Sequence, residues 1–276
     1  MESKWKRQEA LFLCPICGRK MALCGSSLIC DSRHCFDISR KGYLNFVQNR
    51  CDKIYSSNLF KNREQLYKHG FYDRVFDRIE SAISEEMSIL PGTVIIDAGC
   101  GEGSLLTRIC NEDGIIKIGV DISKDAITCA CRKSKEIIWL VADLVRIPLK
   151  SHSVDVVCNF LSPANYDSFH RILKPGGILV KVIAGKSYLK EFRELASFQV
   201  NHKSYDEQRV IRCLEKNMKV IKTIDLEYQV DVNKTQLDQW MKMTPMLVNS
   251  DPDHMREAKI DKVTISMTIC ICKNKE

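Results

Sequence analysis

The chain has 276 residues and a mass of 31.6 kDa, with 45% hydrophobic and 28% charged residues, a usage that excludes a largely disordered chain and suggests about two domains. No apolar run approaches the roughly 18 residues that a membrane span needs, and the apolar stretch at residues 10–13 is too short for a secretory core. The net charge of +7 is one-sided, because residues 1–78 hold 15 Lys/Arg against 8 Asp/Glu while the rest hold 27 of each; such a segment is either a solvated face or the footprint of a polyanion binder.

The first motif lies at 14–34, where Cys14-Pro15-Ile16-Cys17 is followed after twelve residues by Cys30-Asp31-Ser32-Arg33-His34. Two short-spaced pairs of thiolate and imidazole ligands suit the tetrahedral preference of zinc. Gly18 and Gly25-Ser26-Ser27 supply turns, and Met21-Ala22-Leu23 and Leu28-Ile29 read as short strands. The pattern, with the basic excess, predicts a polyanion-binding zinc ribbon over residues 1–50. Cys14, Cys17, Cys30 and His34 are the expected ligands of one structural Zn2+, with Cys35 as the alternative to His34. A lobe of this size scarcely buries a core, and metal binding worth roughly 10–16 kcal/mol would hold it. Of the fourteen cysteines, several outside this motif, such as Cys270 and Cys272, lie in apolar runs and read as small buried hydrophobes. Without a secretory leader, the compartment reads as reducing and cytoplasmic.

Residues 51–90 form the next unit, a helical linker. Leu66, Phe71, Val75, Ile79 and Ile83 recur at helical spacing, which predicts one or two helices broken near Gly70. Pro91-Gly92 then turns into a third unit, 91–276. Apolar runs at 93–98, 116–121, 137–142, 154–161 and 178–183 alternate there with helical segments near 103–112, 123–133 and 164–173. This alternation predicts an α/β fold with a Rossmann-like doubly wound sheet. Residues 262–272 alternate strictly and predict a late antiparallel strand.

The first of these strands runs into Asp97-Ala98-Gly99-Cys100-Gly101-Glu102-Gly103. In an open α/β sheet the ligand sits beyond the carboxyl ends of the strands. A dinucleotide fingerprint wants glycine or alanine where Ser104 stands, and Asp97 and Glu102 would place carboxylates beside a pyrophosphate. A cation suits them better, and S-adenosylmethionine carries both a sulfonium and an ammonium. Asp121, ending the second strand, is placed to accept both ribose hydroxyls, and Asp143, ending the third, to accept from the adenine amino group. The expected cofactor contacts are Asp97, Gly99, Cys100, Gly101, Glu102 and Gly103, then Asp121 with Ile122, Asp143 with Leu144, and Asn159 on the fourth strand.

On these residues the chain resembles the RlmA-type 23S rRNA guanine-N1-methyltransferases. The resemblance rests on the Cys14 to His34 knuckle, on Phe36-Asp37, on Lys41-Gly42-Tyr43-Leu44-Asn45 and on the loop from Asp97 to Gly103. It continues through Leu173-Lys174-Pro175-Gly176-Gly177 and Met243-Thr244-Pro245, and so covers nearly the whole chain. It implies a class I S-adenosylmethionine-dependent methyltransferase acting on a hairpin-loop guanine of 23S rRNA. It also implies a homodimer whose zinc lobes help form an RNA cleft, and cofactor contacts from Gly70-Phe71-Tyr72 and from Tyr188, where the family has a histidine. A second departure lies at Cys51-Asp52-Lys53-Ile54-Tyr55-Ser56-Ser57, where the family has a Gly-Asp pair.

Guanine N1 is protonated at neutral pH and must lose that proton for methyl transfer. The fourth strand ends in Asn159-Phe160-Leu161-Ser162-Pro163. Asn159 and Ser162 are the catalytic candidates, expected to hydrogen-bond a base edge on which Phe160 stacks. Asp155, roughly 13 Å back along the strand, reads as structural. Asp167 and Arg146 are secondary candidates. Lys4, Lys6, Arg7, Arg19, Lys20, Arg33, Arg40 and Lys41 are expected to hold RNA phosphates. Trp240, Met241 and Met243 read as core in preference to cleft lining. Two other functions fit part of this pattern: a methyltransferase for a small molecule, which would need neither ribbon nor lopsided charge, and a cofactor-binding zinc protein that docks RNA without turnover.

Overall fold

The computed structural model describes residues 3–47, 57–197, 206–243 and 260–275. It opens with α1 (Lys4–Gln8), capped by the Ser3 side chain on the Lys6 amide. The ribbon follows as β1 (Met21–Cys24), β2 (Ser27–Cys30) and β3 (Cys35–Asp37), a three-stranded antiparallel sheet, and then comes β4 (Tyr43–Asn45). The helices α2 (Ser57–Lys68) and α3 (Asp73–Glu86) are separated at Gly70, whose left-handed φ of 76° supplies the expected break. Next are β5 (Val94–Ala98), α4 (Ser104–Arg108), β6 (Ile116–Asp121), α5 (Lys124–Lys133), β7 (Ile138–Val141), β8 (Val154–Phe160), α6 (Tyr166–Ile172) and β9 (Leu173–Ala184). The described chain ends with α7 (Lys190–Ser197), α8 (Glu207–Asn217), β10 (Met218–Asp231), α9 (Lys234–Met243) and β11 (Lys262–Asn274).

Eight strands form one sheet in the order β10-β11-β9-β8-β5-β6-β7-β4. The six from β4 to β9 run parallel, and the β10–β11 pair joins antiparallel to β9. The strand order reverses at β5, which lies between β6 and β8. The doubly wound sheet is as expected, and its crevice opens at the carboxyl ends beside that reversal.

Three features differ from expectation. The first is β4, which lies within the stretch expected to form the ribbon yet pairs with β7, Tyr43 opposite Trp139 and Asn45 opposite Val141. The second is α4, which stops at Arg108. There the Lys117 ammonium binds the carbonyls of Leu106 and Ile109 and so closes the helix end. The third is β10, a long, half-exposed edge strand pairing with β11 along its length.

Both faces of the sheet are covered, as a parallel sheet requires. On one face Ile95, Trp139 and Val156 pack with Leu66, Phe76, Ile79 and Trp240. Trp240 is fully buried, in keeping with its reading as core. On the other face Ile96, Val120 and Leu140 pack with Trp5, Phe12, Leu28, Phe36 and Phe46. The β7–β8 connection carries only a 3-10 turn at Leu144–Arg146, so the ribbon gives this face the apolar cover that a crossover helix would otherwise supply. Backbone bonds stitch the two together: the Leu13 amide donates to Pro148 at 3.1 Å and the Lys150 amide to Leu11 at 2.9 Å. Among the described residues thirteen cysteines are all free, and no helix is long and apolar enough to cross a membrane. Thr244, Pro245 and the divergent segment 51–56 lie outside the described residues.

Candidate functional site

The ribbon brings Cys14, Cys17, Cys30 and His34 together, with all four candidate ligand atoms within 4.8 Å of one another. Cys17 Sγ lies 3.6 Å from Cys30 Sγ, and His34 Nδ1 lies 3.5 Å from Cys14 Sγ and 3.4 Å from Cys30 Sγ. Zn–S and Zn–N bonds of about 2.3 and 2.0 Å at tetrahedral angles give edges of roughly 3.5–3.8 Å, so the donor set fits zinc. The Arg19 amide helps pull the Cys17 thiol down to about 6, towards the thiolate that a metal requires. Arg33, in the left-handed region at φ 62°, turns the chain between Cys30 and His34. Cys35 points elsewhere: it is exposed and its Sγ lies 3.7 Å from Asp37 Oδ1. That geometry favours His34 over Cys35 as the fourth donor.

At the crevice, Asp97 is 1% exposed and its Oδ1 has no hydrogen-bond partner among the described residues. Burial, followed by the charges of Asp121 and Glu102, pushes this carboxyl well above the usual carboxylate range. An orphaned buried acid at the head of a glycine loop fits a cationic ligand. The loop glycines divide by role. A Cβ at Gly99 would stand 1.9 Å from Ser162 Oγ, and one at Gly103 would stand 2.4 Å from the Trp139 ring. Those two are therefore fixed by packing, whereas Gly101 faces the cavity, with Arg63 Nη1 3.5 Å from its would-be Cβ.

The neighbouring strand ends carry the other expected contacts. Asp121 Oδ2 accepts from the Gly101 amide and Oδ1 from the Ser123 amide, both at 2.8 Å. The acid thus braces the glycine loop as well as facing the ribose position, and its oxygens keep spare lone pairs. Asp143 is exposed and its Oδ1 accepts from the Val145 amide at 2.9 Å. Ile122 is 42% exposed beside Asp121, and Leu144 is half-buried beside Asp143; they offer apolar flanks at two successive tips. Glu102 is buried and paired with Lys133 at 3.3 Å, so part of its charge is already met inside the protein. Tyr72 and Tyr188, 116 residues apart, are joined by a 2.6 Å bond between their hydroxyls.

Asn159 departs from its expected role. It is fully buried, its Nδ2 donates to Ala98 O at 2.6 Å and Pro163 O at 3.1 Å, and its Oδ1 accepts from Lys181 Nζ at 2.5 Å. With both amide protons engaged inside the protein, Asn159 is a brace beneath the strand tip in this structure and does not present its amide to a base edge. Lys181 also binds Ser162 O at 2.6 Å. The turn above is strained: Leu161 is 38% exposed with φ +47°. Phe160 sits edge-on to Tyr72 and Phe76, with centroids 6.1 and 5.7 Å away. Asp155, as expected, is structural, accepting from the Val94 amide and from Lys174.

Part of the basic set is likewise committed. Lys4 donates to the carbonyls of Lys135 and Ile137, and Lys6 and Arg7 pair with Glu9 and Glu136. Arg19, Lys20, Arg33, Arg40 and Lys41 are exposed. The sequence reading missed Arg63, Tyr67 and Phe76, which line the cavity with Asp97, and Lys181, which is 4% exposed. The signal for Arg63 was present: it shares a helix face with Phe60 and Tyr67 at i+3 and i+4 spacing, a lone cation in an aromatic stripe.

Residues 12–50 match the family model described as "RlmA, N-terminal", and residues 96–181 match the "Methyltransferase domain" model. A Bacillus subtilis protein provisionally named 23S rRNA (guanine-N(1)-)-methyltransferase YxjB is 35% identical over 95% of this chain and 96% of its own length. The Streptomyces fradiae 23S rRNA (guanine(748)-N(1))-methyltransferase is 25% identical over 94% of this chain and 95% of its own. Among solved structures, that of the MccD protein superposes with a TM-score of 0.50 at 14% identity, covering 72% of this chain and 96% of that one, a likeness of fold alone.

Proposed function

Because the chain belongs to the RlmA-type 23S rRNA (guanine-N1)-methyltransferase family, we propose that it methylates N1 of a hairpin-loop guanine in 23S rRNA, working in the cytoplasm as a homodimer. The observation that carries this reading is the pairing of β4 with β7. It fixes the zinc ribbon, with its exposed Arg19, Lys20, Arg33, Arg40 and Lys41, to the sheet edge next to the strand that leads into Asp143. A polyanion held on the ribbon is thereby brought to the edge of the cofactor crevice, which a small-molecule methyltransferase would not need. A guanine open at N1 is unpaired or flipped out, and that favours a loop.

S-adenosylmethionine, when bound, supplies an activated methyl group. Asp97 would hold its ammonium, Asp121 the ribose and Asp143 the adenine edge, with Ile122 and Leu144 flanking the base. The chain's own task is then to orient the acceptor. Lys181 and Asn159 lock the tip of β8, so that Ser162 and Phe160 present a hydroxyl and an aromatic edge at a fixed place. The Tyr72 and Tyr188 phenols are pushed up by burial and keep their protons at neutral pH. They serve as donors and as a wall against water, and not as the base that removes the N1 proton.

The test is mass mapping of methylated nucleotides in rRNA from cells with and without the protein, beside transfer of labelled methyl groups to stripped rRNA and to a small-molecule pool. One guanine losing N1 methylation in the deleted strain is the expected result. Label entering only small molecules would refute it, as would cofactor binding without product on any RNA.

A further inference from the structure

Among the described residues, the cavity beneath the glycine loop has two acids on its wall, Asp97 and Glu102, and a single cation, Arg63. Glu102 has Lys133 as its partner. Arg63 has no carboxylate within ion-pair distance and no hydrogen bond among the described residues. It stands under the influence of Glu102, Asp121 and the phenols of Tyr67, Tyr72 and Tyr188, and its guanidinium carbon lies 5.9 Å from the centre of the Phe60 ring. Arg63 is half-buried beside the cavity, and its guanidinium offers five donors in a planar fork that no described group fills. The group is thus arranged for an anion that enters with the ligand.

The methionine half of S-adenosylmethionine is a zwitterion, and its charges need opposite partners. The acids of this wall suit the ammonium and the sulfonium, but they repel the carboxylate. We propose that Arg63 is the ligand for the cofactor's carboxylate, taking it as a forked pair opposite the ammonium site at Asp97. This inference rests on the S-adenosylmethionine reading of the site. It also gives α2 a function: the helix carries the cation that sets which way round the amino-acid end of the cofactor lies. An RNA phosphate is the other anion in this system, but at this position it would be pressed against Asp97 and Glu102.

Titration calorimetry on the full-length, zinc-loaded chain tests the assignment with two ligands, S-adenosylhomocysteine and its decarboxylated analogue, which keeps the ammonium and loses only the carboxylate. Wild type should prefer the first by about 10- to 100-fold, the range of a charged hydrogen-bonded contact. Arg63→Gln should lose that preference, binding S-adenosylhomocysteine as weakly as the analogue while its affinity for the analogue stays within about threefold. Arg63→Lys, which keeps charge without the fork, should fall between them and serves if the glutamine variant folds poorly. The assignment is overturned if wild type binds both ligands equally, if Arg63→Gln weakens both alike, or if it weakens only rRNA binding. Should wild type bind neither ligand, the cofactor reading itself fails, an outcome distinct from loss of the Arg63 preference alone.

Discussion

Asp97 sets an opposition between stability and binding. A carboxyl raised by burial is still protonated in the folded chain at pH values where the unfolded chain has ionised, so it costs stability as pH rises past the unfolded value near 4. A cation beside it draws the proton off, so cofactor affinity should climb with pH through the raised range. The charges of Asp121 and Glu102 both bear on this carboxyl. Calorimetry in two buffers of different ionisation heat should register proton release on binding. Asp97→Asn should flatten that response and weaken binding while raising the melting temperature at pH 7; a variant that melts lower and binds as before would contradict this account. Burial has lowered the Lys181 amine to about 8, yet the group keeps two acceptors, Asn159 Oδ1 and Ser162 O. Asn159→Leu should therefore destabilise the fold by about 1–3 kcal/mol and lower turnover, since it strands a buried donor. Adding Lys181→Met should recover part of the stability but not the turnover, a non-additivity visible in denaturant melts. Asp97 was legible from sequence because acids at strand ends have few other uses. The burial of Asn159 was not, because the lysine that claims it lies 22 residues on, in a strand whose neighbour is fixed only by topology.

At the level of the elements, the glycine loop and the third core strand fit each other tightly. Gly119 of β6 leaves space for the same indole as Gly103 does, and a Cβ there would sit 2.3 Å from Trp139. Gly119→Ala should cost about 1–3 kcal/mol by overpacking, and the double variant Gly119→Ala, Trp139→Leu should restore a good part of it, as thermal melts would read. From the sequence Gly103 looked like a concession to a ligand; only the fold reveals that a tryptophan fills the gap beside it and Gly119. The parallel strands could be read from their apolar runs, since burial on both faces leaves little else. The edge strand β10 escaped notice although Ile224, Leu226, Tyr228 and Val230 alternate with polar residues, because a half-exposed strand has a diluted signal. Arg63 was lost inside a helix judged by its apolar members.

For the whole molecule, the ribbon and the catalytic sheet share one core, so metal and cofactor should report on a single cooperative unit. Chelation, or Cys17→Ser, should lower the melting temperature of the entire chain in one transition, and added cofactor should raise it by mass action. Two resolved transitions in calorimetry would contradict the shared core. RNA affinity should fall steeply with salt. Arg40→Ala or Lys41→Ala should each reduce the slope of log affinity against log salt by roughly 0.7–0.9, one phosphate's worth, while cofactor affinity holds. The two-part plan could be read from charge and cysteine spacing; the join between the parts could not, because three residues of strand carry too little pattern to announce their partner.

That join also bears on how the protein is made. Tyr43–Asn45 leaves the ribosome long before Ile138–Val141, the strand it will flank. A nascent sheet is most exposed to strangers along its unfinished border. Here the border guard is synthesised first and held ready by a metal-clamped lobe, so β7 meets its own neighbour as it emerges.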